Sequence, residues 1–542
     1  MGCSKYWAVA VFLCLPVFGF TLFSLAPDAL PGLARMREQP ALPAVAGGER
    51  LPALPPADTG YRILPAAAGG AFPAAVAALG PAVTAPQQTG LTAVPPPGTT
   101  AHLVQRGQSL ATLVHIYLPQ TTYMTGSELE QGIRQANNGL KGNSLKPGQV
   151  VLVPGYQQDW REAPVPVTRD FEIRAIYLTG TMAGSARGLD LVRQWRRLGG
   201  NAVVFDVKDS DGLVNVPFAS KWLGGPAVFP AESPLAGRVS PPIRNLQKYV
   251  RWLHAQNLHA IARIAIFRDE YLVTHHPELA VHSRQTGQPW RENGKLVWTD
   301  PSNQTVQEYN LALARYAAAC GVDEVQFDYV RFPAEGDQKD ARFDYEKTHP
   351  GWQRADVLDS FLAQAQAQLR GAGVLFSLDV FGVMAWQRSI DLLHTGQEIT
   401  RMARHCDVLS PMVYPSHFFG MDGYQDPGDA PEHFIGESME RFRQITAGSG
   451  VVLRPWLQAF AWRTKTYSPE YILKQVTAAK AQGGLGFLFW NARNDYAKPF
   501  TAMPEMSAHP GRYFRGDELR ERNGKTVSAA GNPIRRALRN PS

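Results

Sequence analysis

Eight apolar runs with the spacing of β-strands alternate with helical patterns between residues 172 and 490. In chain order the runs are EIRAIYL (172–178), NAVVFDV (201–207), LHAIARIAIF (258–267), DEVQFDY (323–329), GVLFSLDV (373–380), CDVLSPMVY (406–414), VVLRPWLQAF (451–460) and LGFLFW (485–490). Eight strands that alternate with helices favour a closed parallel (β/α)8 TIM barrel. We therefore expect an α/β fold with a barrel over residues 170–500. The alternative, an open doubly wound sheet, is less favoured because no Gly-rich phosphate loop follows any run.

The charge of the chain does not indicate nucleic acid as a partner. The formal net charge is +7, but residues 515–542 hold seven Lys and Arg against three Asp and Glu. No zinc, RNP or helix-turn-helix pattern accompanies this excess. We interpret residues 515–542 as a basic flexible tail and expect no nucleic-acid binding.

The N-terminal part of the chain predicts export. Lys5 precedes an apolar run from Tyr6 to Ala26 that is long enough to span a bilayer. Pro27 makes cleavage after Ala26 unfavourable, so residues 1–26 are interpreted as a signal anchor, with a cleaved signal peptide as the alternative. Residues 27–100 are rich in Ala, Pro and Gly and predict a semi-extended linker. The rest of the chain is then expected in the cell envelope, anchored to the membrane and facing the periplasm or the exterior.

Residues 101–156 predict a small separate domain with the order strand, helix, helix, strand. HLVQ begins it, Ser109 can cap the first helix, and LKPGQVVLVP provides a turn and a closing strand. Together with VQRGQSL and Ala136-Asn137, this order resembles a LysM domain. The resemblance implies binding to N-acetylglucosamine-containing glycans such as peptidoglycan. The connection at 119–126 is longer than is usual between the two helices, and a small domain that binds another protein is the alternative.

Polar residues gather where the predicted barrel strands end. In an α/β barrel the carboxyl ends of the strands form the face that carries chemistry, and buried charge there needs partners or a substrate. The second strand gives Asp206, Lys208 and Asp209; the third gives Arg263 and runs to Arg268, Asp269 and Glu270; the fourth gives Asp328, Tyr329 and Arg331; the fifth gives Asp379; the sixth gives Tyr414 and His417; the seventh gives Gln458; and the eighth gives Trp490 and Asn491. We expect all but the two catalytic candidates, Asp328 and Asp379, to contribute to substrate binding, with Arg268, Asp269 and Glu270 left unassigned.

Aromatic residues are frequent on the same predicted face. The rings are Trp290, Trp298, Phe332, Phe418, Tyr424, Trp462 and Trp490. Flat rings beside Asp, Asn, Gln and Arg suit a sugar, which presents apolar C–H faces and polar edges. We expect about half of these rings only to pack loops onto the barrel.

Asp328 and Asp379 are the candidate catalytic pair. Glycoside hydrolysis needs two carboxyl groups on either side of the scissile bond, and these two end consecutive predicted strands. Neighbouring strands lie about 4.8 Å apart, which is compatible with the spacing of about 5–5.5 Å of retaining enzymes. We predict Asp328 as the nucleophile, kept ionised by Arg331, and Asp379 as the general acid/base. The alternative is that Asp328 and Arg331 form an ion pair whose only role is to end the strand.

No metal or cofactor is predicted. DVKDSDG could bind a cation through Asp206 and Asp209, but D-G is a common turn and the segment lacks the Glu that completes a calcium loop. His275 and His276 are adjacent and have no third ligand at useful spacing.

Residues 174–494 are similar to a bacterial family of glycosyl hydrolase domains whose barrel is distantly similar to the α-amylase type. The stretches that carry the resemblance are IYLTGTMAG, NAVVFDVKDSDGLV, GVDEVQFDYVRFP, LDVFG, SPMVYPSHF, RPWLQAF and FLFWNARNDY. The resemblance implies carbohydrate-active chemistry, with a nucleophile at Asp328 and a proton donor at Asp379, where the α-amylase type has Glu. It also implies an acidic residue in the seventh strand, where this chain has Ala459.

Three functions compete on the sequence alone. The leading one is an exported glycoside hydrolase held on cell-wall glycan by the domain at 101–156. The second is a non-catalytic glycan-binding or scaffold protein, which Ala459 favours. The third, a metal-dependent polysaccharide deacetylase, needs an Asp and two His on one ion, and the sequence offers no such set.

Overall fold

The computed structural model describes residues 95–96, 98–157, 168–220, 225–226 and 241–516. The signal anchor predicted at 1–26 lies outside these ranges, as do nearly all of the predicted linker and of the predicted basic tail. Among the described helices, none is both long enough and apolar enough to cross a membrane.

The strands fall into a small N-terminal pair, the barrel, and two short antiparallel pairs. They are β1 (Thr99–Leu103), β2 (Val150–Pro154), β3 (Ile173–Leu178), β4 (Ala202–Lys208), β5 (Ala219–Ser220), β6 (Gly225–Pro226), β7 (His259–Ala265), β8 (His282–Ser283), β9 (Glu324–Asp328), β10 (Ala341–Arg342), β11 (Leu375–Phe381), β12 (Val408–Met412), β13 (Val452–Leu453), β14 (Trp456–Gln458) and β15 (Gly486–Trp490).

Two helices lie in the N-terminal domain, and the others follow the barrel strands in the predicted alternation. The α-helices are α1 (Leu110–Tyr117), α2 (Gly126–Ala136), α3 (Gly180–Ala183), α4 (Ala186–Arg197), α5 (Leu246–Ala255), α6 (Glu270–His275), α7 (Gln304–Ala319), α8 (Tyr345–Thr348), α9 (Arg354–Gly371), α10 (Ser389–Thr395), α11 (Ile399–Met402), α12 (Pro431–Ile445), α13 (Pro469–Ala481), α14 (Ala497–Ala508) and α15 (Pro510–Tyr513). Short 3-10 helices occupy Leu118–Gln120, Pro277–Leu279, Gly382–Trp386, Pro415–His417 and Pro427–Asp429.

Eight parallel strands close into the barrel that the sequence predicts. Hydrogen bonds join β3, β4, β7, β9 and β11 in that order, and then β12, β14 and β15 back to β3. The pairing of β11 with β12 completes the ring. The seventh barrel strand is divided into β13 and β14 around Pro455, whose nitrogen has no hydrogen to donate.

The helices of the outer layer begin at side-chain caps. Ser185, Asn245, Asn303 and Ser468 each accept a backbone N–H from the first turn of α4, α5, α7 and α13 respectively. The apolar faces of these helices pack on outward-facing strand residues in one large buried cluster. This layer fixes the strands, and so it fixes the positions at which they end.

The inside of the barrel is apolar on one side and polar on the other. Ala175, Val204 and Leu488, from β3, β4 and β15, lie in an inner apolar cluster. On β9 the alternate residues Glu324, Gln326 and Asp328 are buried polar groups instead. Charge inside the barrel is therefore concentrated on the β7, β9 and β11 side, in layers that end at the carboxyl face.

The lowest of these layers is a buried ion pair. Arg454 Nη1 donates to both oxygens of Glu324 at 3.0 and 2.8 Å, and His259 Nε2 lies 3.1 Å from Glu324 Oε2. Burial alone would raise the pKa of Glu324, but the Arg454 charge and the His259 hydrogen bond outweigh it and lower this pKa to about 2. Glu324 and Arg454 thus tie β9 to the seventh strand across the barrel.

The N-terminal domain has the predicted order of elements. β1 and β2 pair antiparallel from Thr99 opposite Pro154 to Leu103 opposite Val150, with α1 and α2 between them. Ser109 caps α1 in a capping box with Thr112, as expected from the sequence. Leu110, Leu113, Leu129 and Ile133 form part of the buried core of this domain.

The long connection between α1 and α2 contacts the barrel. Lys248 of α5 donates to the Leu118 carbonyl, and Met124 packs against the outer apolar cluster of the barrel. At the start of α2, Glu128 Oε1 accepts a hydrogen bond of 2.5 Å from Arg193 of α4. The extra length at 119–126 therefore has a structural role, because it docks the small domain on α4 and α5.

We expect Arg454→Met to lower the free energy of unfolding by about 3–5 kcal/mol at neutral pH, measured by urea denaturation, because it leaves the Glu324 charge buried without a partner. The lowered pKa of Glu324 means that the ion pair stabilises the fold fully above pH 4.5, the ordinary value, and that this stabilisation is lost as the pH falls towards about 2. The difference in the free energy of unfolding between Arg454→Met and wild type should therefore decrease as the pH is lowered. In the exposed Lys474–Glu432 pair, Lys474→Met should change stability by less than about 1 kcal/mol; equal losses in the two variants would contradict the argument.

Candidate active site

Four charged side chains meet inside the barrel where consecutive strands end. Asp206 lies near the end of β4, Arg263 lies on β7, Asp328 ends β9 and Asp379 lies near the end of β11. None is more than 7% exposed. We call these four residues the inner cluster.

Arg263 is the centre of the inner cluster. Its Nη1 donates to Asp206 Oδ1, and its Nη2 and Nε lie 2.5 and 3.2 Å from Asp328 Oδ2. Asp379 Oδ2 lies 3.8 Å from the same Nε. One guanidinium therefore donates hydrogen bonds to two carboxyl groups and lies 3.8 Å from a third, and the three come from three different strands.

The distances to Arg263 limit the separation of the predicted catalytic pair. Asp328 Oδ2 and Asp379 Oδ2 lie 3.2 and 3.8 Å from one nitrogen, so they cannot be further apart than the sum of these distances. That limit includes the spacing of about 5–5.5 Å of retaining glycosidases and excludes most of the range of about 6.5–9.5 Å of inverting ones.

Asp379 is in the environment of a carboxyl group that keeps its proton. Trp456 Nε1 donates to Oδ1 at 2.7 Å, while Oδ2 has no hydrogen-bond partner and the residue is 1% exposed. Burial, and then the neighbouring Asp328 charge, raise the pKa of Asp379 well above its ordinary value. A protonated carboxyl group next to a second carboxyl group is the arrangement that general acid catalysis requires.

Asp206 is hydrogen-bonded to Arg263 and to Tyr177. Its two oxygens accept hydrogen bonds from Arg263 and from the Tyr177 hydroxyl, and the residue is 1% exposed. Burial raises the pKa of Asp206 although the Arg263 charge opposes the shift. Asp206 and Arg263 are thus positioned by hydrogen bonds within the inner cluster, and their predicted contact with substrate stays a prediction.

Lys208, which was expected to bind substrate, does not line the site. The register between β4 and β7 shifts between Asp206 and Lys208, so that Lys208 pairs beside the outward-facing Ile264. Its ammonium is fully buried and donates to Asp269 Oδ2 at 2.8 Å and to Asn310 Oδ1 at 2.9 Å. Lys208 therefore fastens α7 to the barrel wall.

Asp209 has acid properties that the sequence did not reveal. It begins a turn in which Gly212 N donates to its carbonyl at 3.0 Å, as the D-G pattern predicts, and it is partly exposed. Burial, and then the charges of Asp206 and Asp211, raise the pKa of Asp209 to about 8. At neutral pH it is a protonated carboxyl group closer to solvent than Asp379 is.

The backbone after Asp328 is strained. Tyr329 has φ of +53°, a left-handed conformation that an aromatic residue rarely adopts, and its N–H donates to Asp328 Oδ1 at 2.5 Å. Such strain is often found at functional sites. The Tyr329 N–H thus holds Oδ1 of Asp328, while Arg263 holds Oδ2.

Arg331 does not pair with Asp328, and the expectation that it does is wrong. Its Nη1 donates to the Phe332 carbonyl at 3.1 Å, and its guanidinium lies over the rings of Trp298 and Phe381 at 4.6 and 4.3 Å. The cation beside Asp328 is Arg263, which comes from the neighbouring strand.

A series of aromatic ring contacts leads from the inner cluster to the surface. Tyr177 stacks on Trp490 at 6.2 Å, and Trp490 contacts Tyr414 and Phe460 at 5.9 and 5.4 Å. His417 continues this series to Trp462, which is 41% exposed. Burial, and then the Arg463 charge, lower the pKa of His417 to about 4, so its ring is neutral at physiological pH.

Two predicted substrate ligands are instead occupied by loop backbone. Gln458 accepts from Ser416 N at 3.2 Å and donates to the Phe460 carbonyl at 2.9 Å. Asn491 donates to the Ala459 carbonyl at 2.5 Å and accepts from Arg493 N at 2.8 Å. These amides therefore hold the loops around the site, and their predicted binding of substrate stays a prediction.

Ala459, where the family resemblance implies an acid, lies away from the inner cluster. It is fully buried in the outer apolar cluster together with Leu457. Its lack of a carboxyl group leaves the inner cluster intact. Of the predicted rim rings, Trp290, Trp298, Phe332 and Phe418 are buried packing groups, while Tyr424 and Trp462 are exposed.

The sequence reasoning missed Tyr177 and Trp456. Tyr177 lies on the inner face of β3 with Ile173 and Ala175, and Trp456 lies on the inner face of β14. Alternation along each strand was the signal that could have found both. In the described ranges, no three His, Cys, Asp or Glu side chains are arranged to hold a metal ion.

Several solved structures are similar to this chain. A hypothetical protein from Ruminiclostridium thermocellum is 35% identical over 38% of this chain and 97% of its own, with a TM-score of 0.30. The glycoside hydrolase domain of PgaB (BpsB) from Bordetella bronchiseptica is 13% identical over 64% of this chain and 99% of its own, with a TM-score of 0.45. The spore cortex-lytic enzyme SleL from Bacillus megaterium is 12% identical over 76% of this chain and 86% of its own, with a TM-score of 0.37. At these TM-scores the likenesses carry no argument about activity.

The comparison with curated proteins gives no match. The α-amylase likeness gains no specific support from any of these comparisons. Residues 175–496, more than half of the chain, match the family model described as "Putative glycosyl hydrolase domain". The chain therefore belongs to this family of glycosyl hydrolase domains.

Proposed function

We propose that the barrel is a glycoside hydrolase that acts on a polysaccharide. The observation that carries the proposal is the pair of carboxyl groups on β9 and β11, which share Arg263 but differ in environment. Asp328 accepts two hydrogen bonds from Arg263, whereas Asp379 has one unpartnered oxygen and a raised pKa. Environments that differ in this way separate a nucleophile from a proton donor.

The proposed mechanism is retaining. Asp328 attacks the anomeric carbon while the bond from that carbon to the leaving oxygen breaks, and the leaving oxygen takes the proton of Asp379. Water then attacks the glycosyl ester, gives its proton to Asp379 and releases both the sugar and Asp328. Arg263 and Asp206 are positioning residues, because their hydrogen bonds are made to each other and to Asp328. Trp490, Tyr414 and Trp462 offer faces on which sugar rings can stack.

The location of the protein and the role of its small domain are part of the proposal. The N-terminal sequence supports export and anchoring in the membrane, and the resemblance of residues 101–156 to LysM supports binding to peptidoglycan-type glycan. The contacts of Glu128 with Arg193 and of Leu118 with Lys248 hold this domain on the barrel. A glycan bound there would lie at a fixed distance from the site of hydrolysis.

A non-catalytic glycan-binding protein is the second candidate function. The observation that favours it is the 1% exposure of Asp379, which limits direct contact with a substrate.

Asp328→Asn should reduce the release of reducing sugar from a susceptible polysaccharide by a factor on the order of 10⁴, because it removes the nucleophile. The assay is hydrolysis of isolated cell-wall and envelope polysaccharides by the full chain. Asp170→Asn, a change at an exposed aspartate whose side chain is 78% accessible, is the matched control. Unchanged hydrolysis in Asp328→Asn would exclude this nucleophile, and no hydrolysis by wild type on any such glycan would favour the non-catalytic alternative.

Comparing Asp379→Asn with Asp209→Asn identifies the proton donor. A general acid works only while protonated, so hydrolysis should decline as the pH rises through the pKa of the donor. We expect Asp379→Asn to lose about 10²–10⁴-fold on natural glycosides, to retain activity on aryl glycosides with good leaving groups, and to lose the alkaline decline. Asp209→Asn should keep that decline. If Asp209→Asn instead removes a decline near pH 8, the value of its pKa, Asp209 is the donor.

The binding role of the small domain is tested by co-sedimentation with peptidoglycan sacculi. Full-length Asp328→Asn should sediment with sacculi, because binding does not need the nucleophile, and a chain lacking residues 101–156 should stay in solution. Thermal unfolding of the shortened chain checks that the barrel is still folded. Equal sedimentation of both chains would contradict a glycan-binding role for this domain.

A further inference from the structure

Two arginines at the mouth of the barrel are buried without a carboxylate partner. Arg331 and Arg268 are each only 7% exposed. Within the described ranges, no Asp or Glu lies within ion-pair distance of either guanidinium. By contrast, Lys208, Arg263 and Arg454 each contact a carboxylate. A buried cation without a counter-charge is unfavourable unless something else supplies the charge.

Both guanidiniums face the ring of Tyr329. Arg331 lies 5.4 Å and Arg268 lies 5.8 Å from the centre of this ring. Arg268 and Trp298 are paired through a backbone β-bridge, and the Trp298 ring lies 4.6 Å from the Arg331 guanidinium. The four side chains therefore form one packed unit, which we call the arginine pocket.

Among the described residues, few groups accept hydrogen bonds from the two guanidiniums of the arginine pocket. A guanidinium has five N–H donors. The described hydrogen bonds are from Arg331 Nη1 to the Phe332 carbonyl at 3.1 Å and from Arg268 Nη1 to the Ser210 carbonyl at 2.6 Å. Glu335 is the nearby carboxylate that senses the Arg331 charge, but it accepts from Asn293 at 3.0 Å and lies beyond ion-pair distance.

The arginine pocket adjoins the proposed nucleophile. Tyr329 directly follows Asp328, and its N–H donates to the Asp328 carboxylate. Tyr329, which has a positive φ, has its ring within 6 Å of both guanidiniums, at 5.4 Å from Arg331 and 5.8 Å from Arg268. A group bound in the pocket would thus belong to a sugar at, or next to, the bond that is cleaved.

We propose that the arginine pocket binds an oxyanion substituent of the substrate, so that the glycan this enzyme cleaves is acidic. The inference rests on the proposed function and specifies its substrate class. Guanidinium groups bind carboxylate and phosphate through paired N–H donors, and the flanking rings keep Arg331 in place. A sugar carboxylate and a sugar phosphate offer the same chemistry to this pocket, and a neutral sugar would leave both cations without a partner.

The test is a titration of full-length Asp328→Asn with three sugars, D-glucuronate, D-glucose 6-phosphate and D-glucose, followed through the arginine Nε–Hε NMR signals. Arg331→Lys and Arg268→Lys assign the two signals. We expect at least one anionic sugar to shift both signals and to bind at least about tenfold more tightly than glucose, with a difference that shrinks as salt is added. The stronger of the two anions identifies carboxylate or phosphate as the substituent.

Arg331→Gln should remove this preference. Arg441→Gln is the matched control, because Arg441 also lies over a ring, that of Trp386 at 5.0 Å, but pairs with Glu437. Thermal unfolding of each variant checks folding, and Arg331→Lys, which keeps the charge, should retain part of the preference. Equal binding of all three sugars, or a preference unchanged in Arg331→Gln, would overturn the proposal.

The inference and the proposed hydrolase activity fail separately. If Arg331 gives a preference for anionic sugars but no glycan is hydrolysed, the hydrolase proposal is excluded and a binding site for acidic glycans remains. If the chain hydrolyses a neutral glycan and shows no preference for anionic sugars, anion binding by the arginine pocket is excluded and the hydrolase proposal remains.

Discussion

The contact of Arg263 with the carboxyl groups of Asp206 and Asp328 is the interaction on which the candidate site depends. Three buried carboxyl groups within reach of one another would repel and would take up protons if no cation lay among them. Arg263 removes that conflict for two of them through direct hydrogen bonds, while Asp379 stands 3.8 Å away and meets the Asp328 charge with a raised pKa. The difference between the two proposed catalytic groups therefore follows from the position of one guanidinium.

The barrel itself was predictable because its strands are buried on both faces. Continuous apolar runs such as 201–207 and 373–380 are read from sequence without knowledge of their partners, and β4 and β11 occupy those places. The clustering of polar residues at the strand ends was equally visible. Which charges pair was not visible, because Arg331 is three residues from Asp328 whereas Arg263, its actual partner, is 65 residues away. Pairing across strands depends on register, and a single sequence does not determine register in detail.

The other polar residues at the strand ends differ from the simple expectation for two local reasons. The irregularity between Asp206 and Lys208 turns one polar side chain inward and the next outward, which strict alternation does not anticipate. Gln458 and Asn491 satisfy loop backbone groups, because buried N–H and C=O groups need partners as much as a substrate does. A polar residue at a strand end is therefore a candidate for substrate binding and for loop support at once, and only the hydrogen bonds of the fold separate these roles.

Arg263 and Arg331 show how differently one residue type can be used within a single site. The charge of Arg263 is compensated by the carboxylates that it contacts, so Arg263 stabilises an arrangement that exists before substrate binds. Arg331 is equally buried, but among the described residues its guanidinium contacts aromatic rings and one carbonyl, which compensate a buried cation less than a carboxylate does. An apolar side chain at position 331 would pack among Trp298, Tyr329 and Phe381 without that unfavourable burial of charge. A fold that keeps arginine there gives up stability, and such sacrifices are typical of positions that meet a ligand.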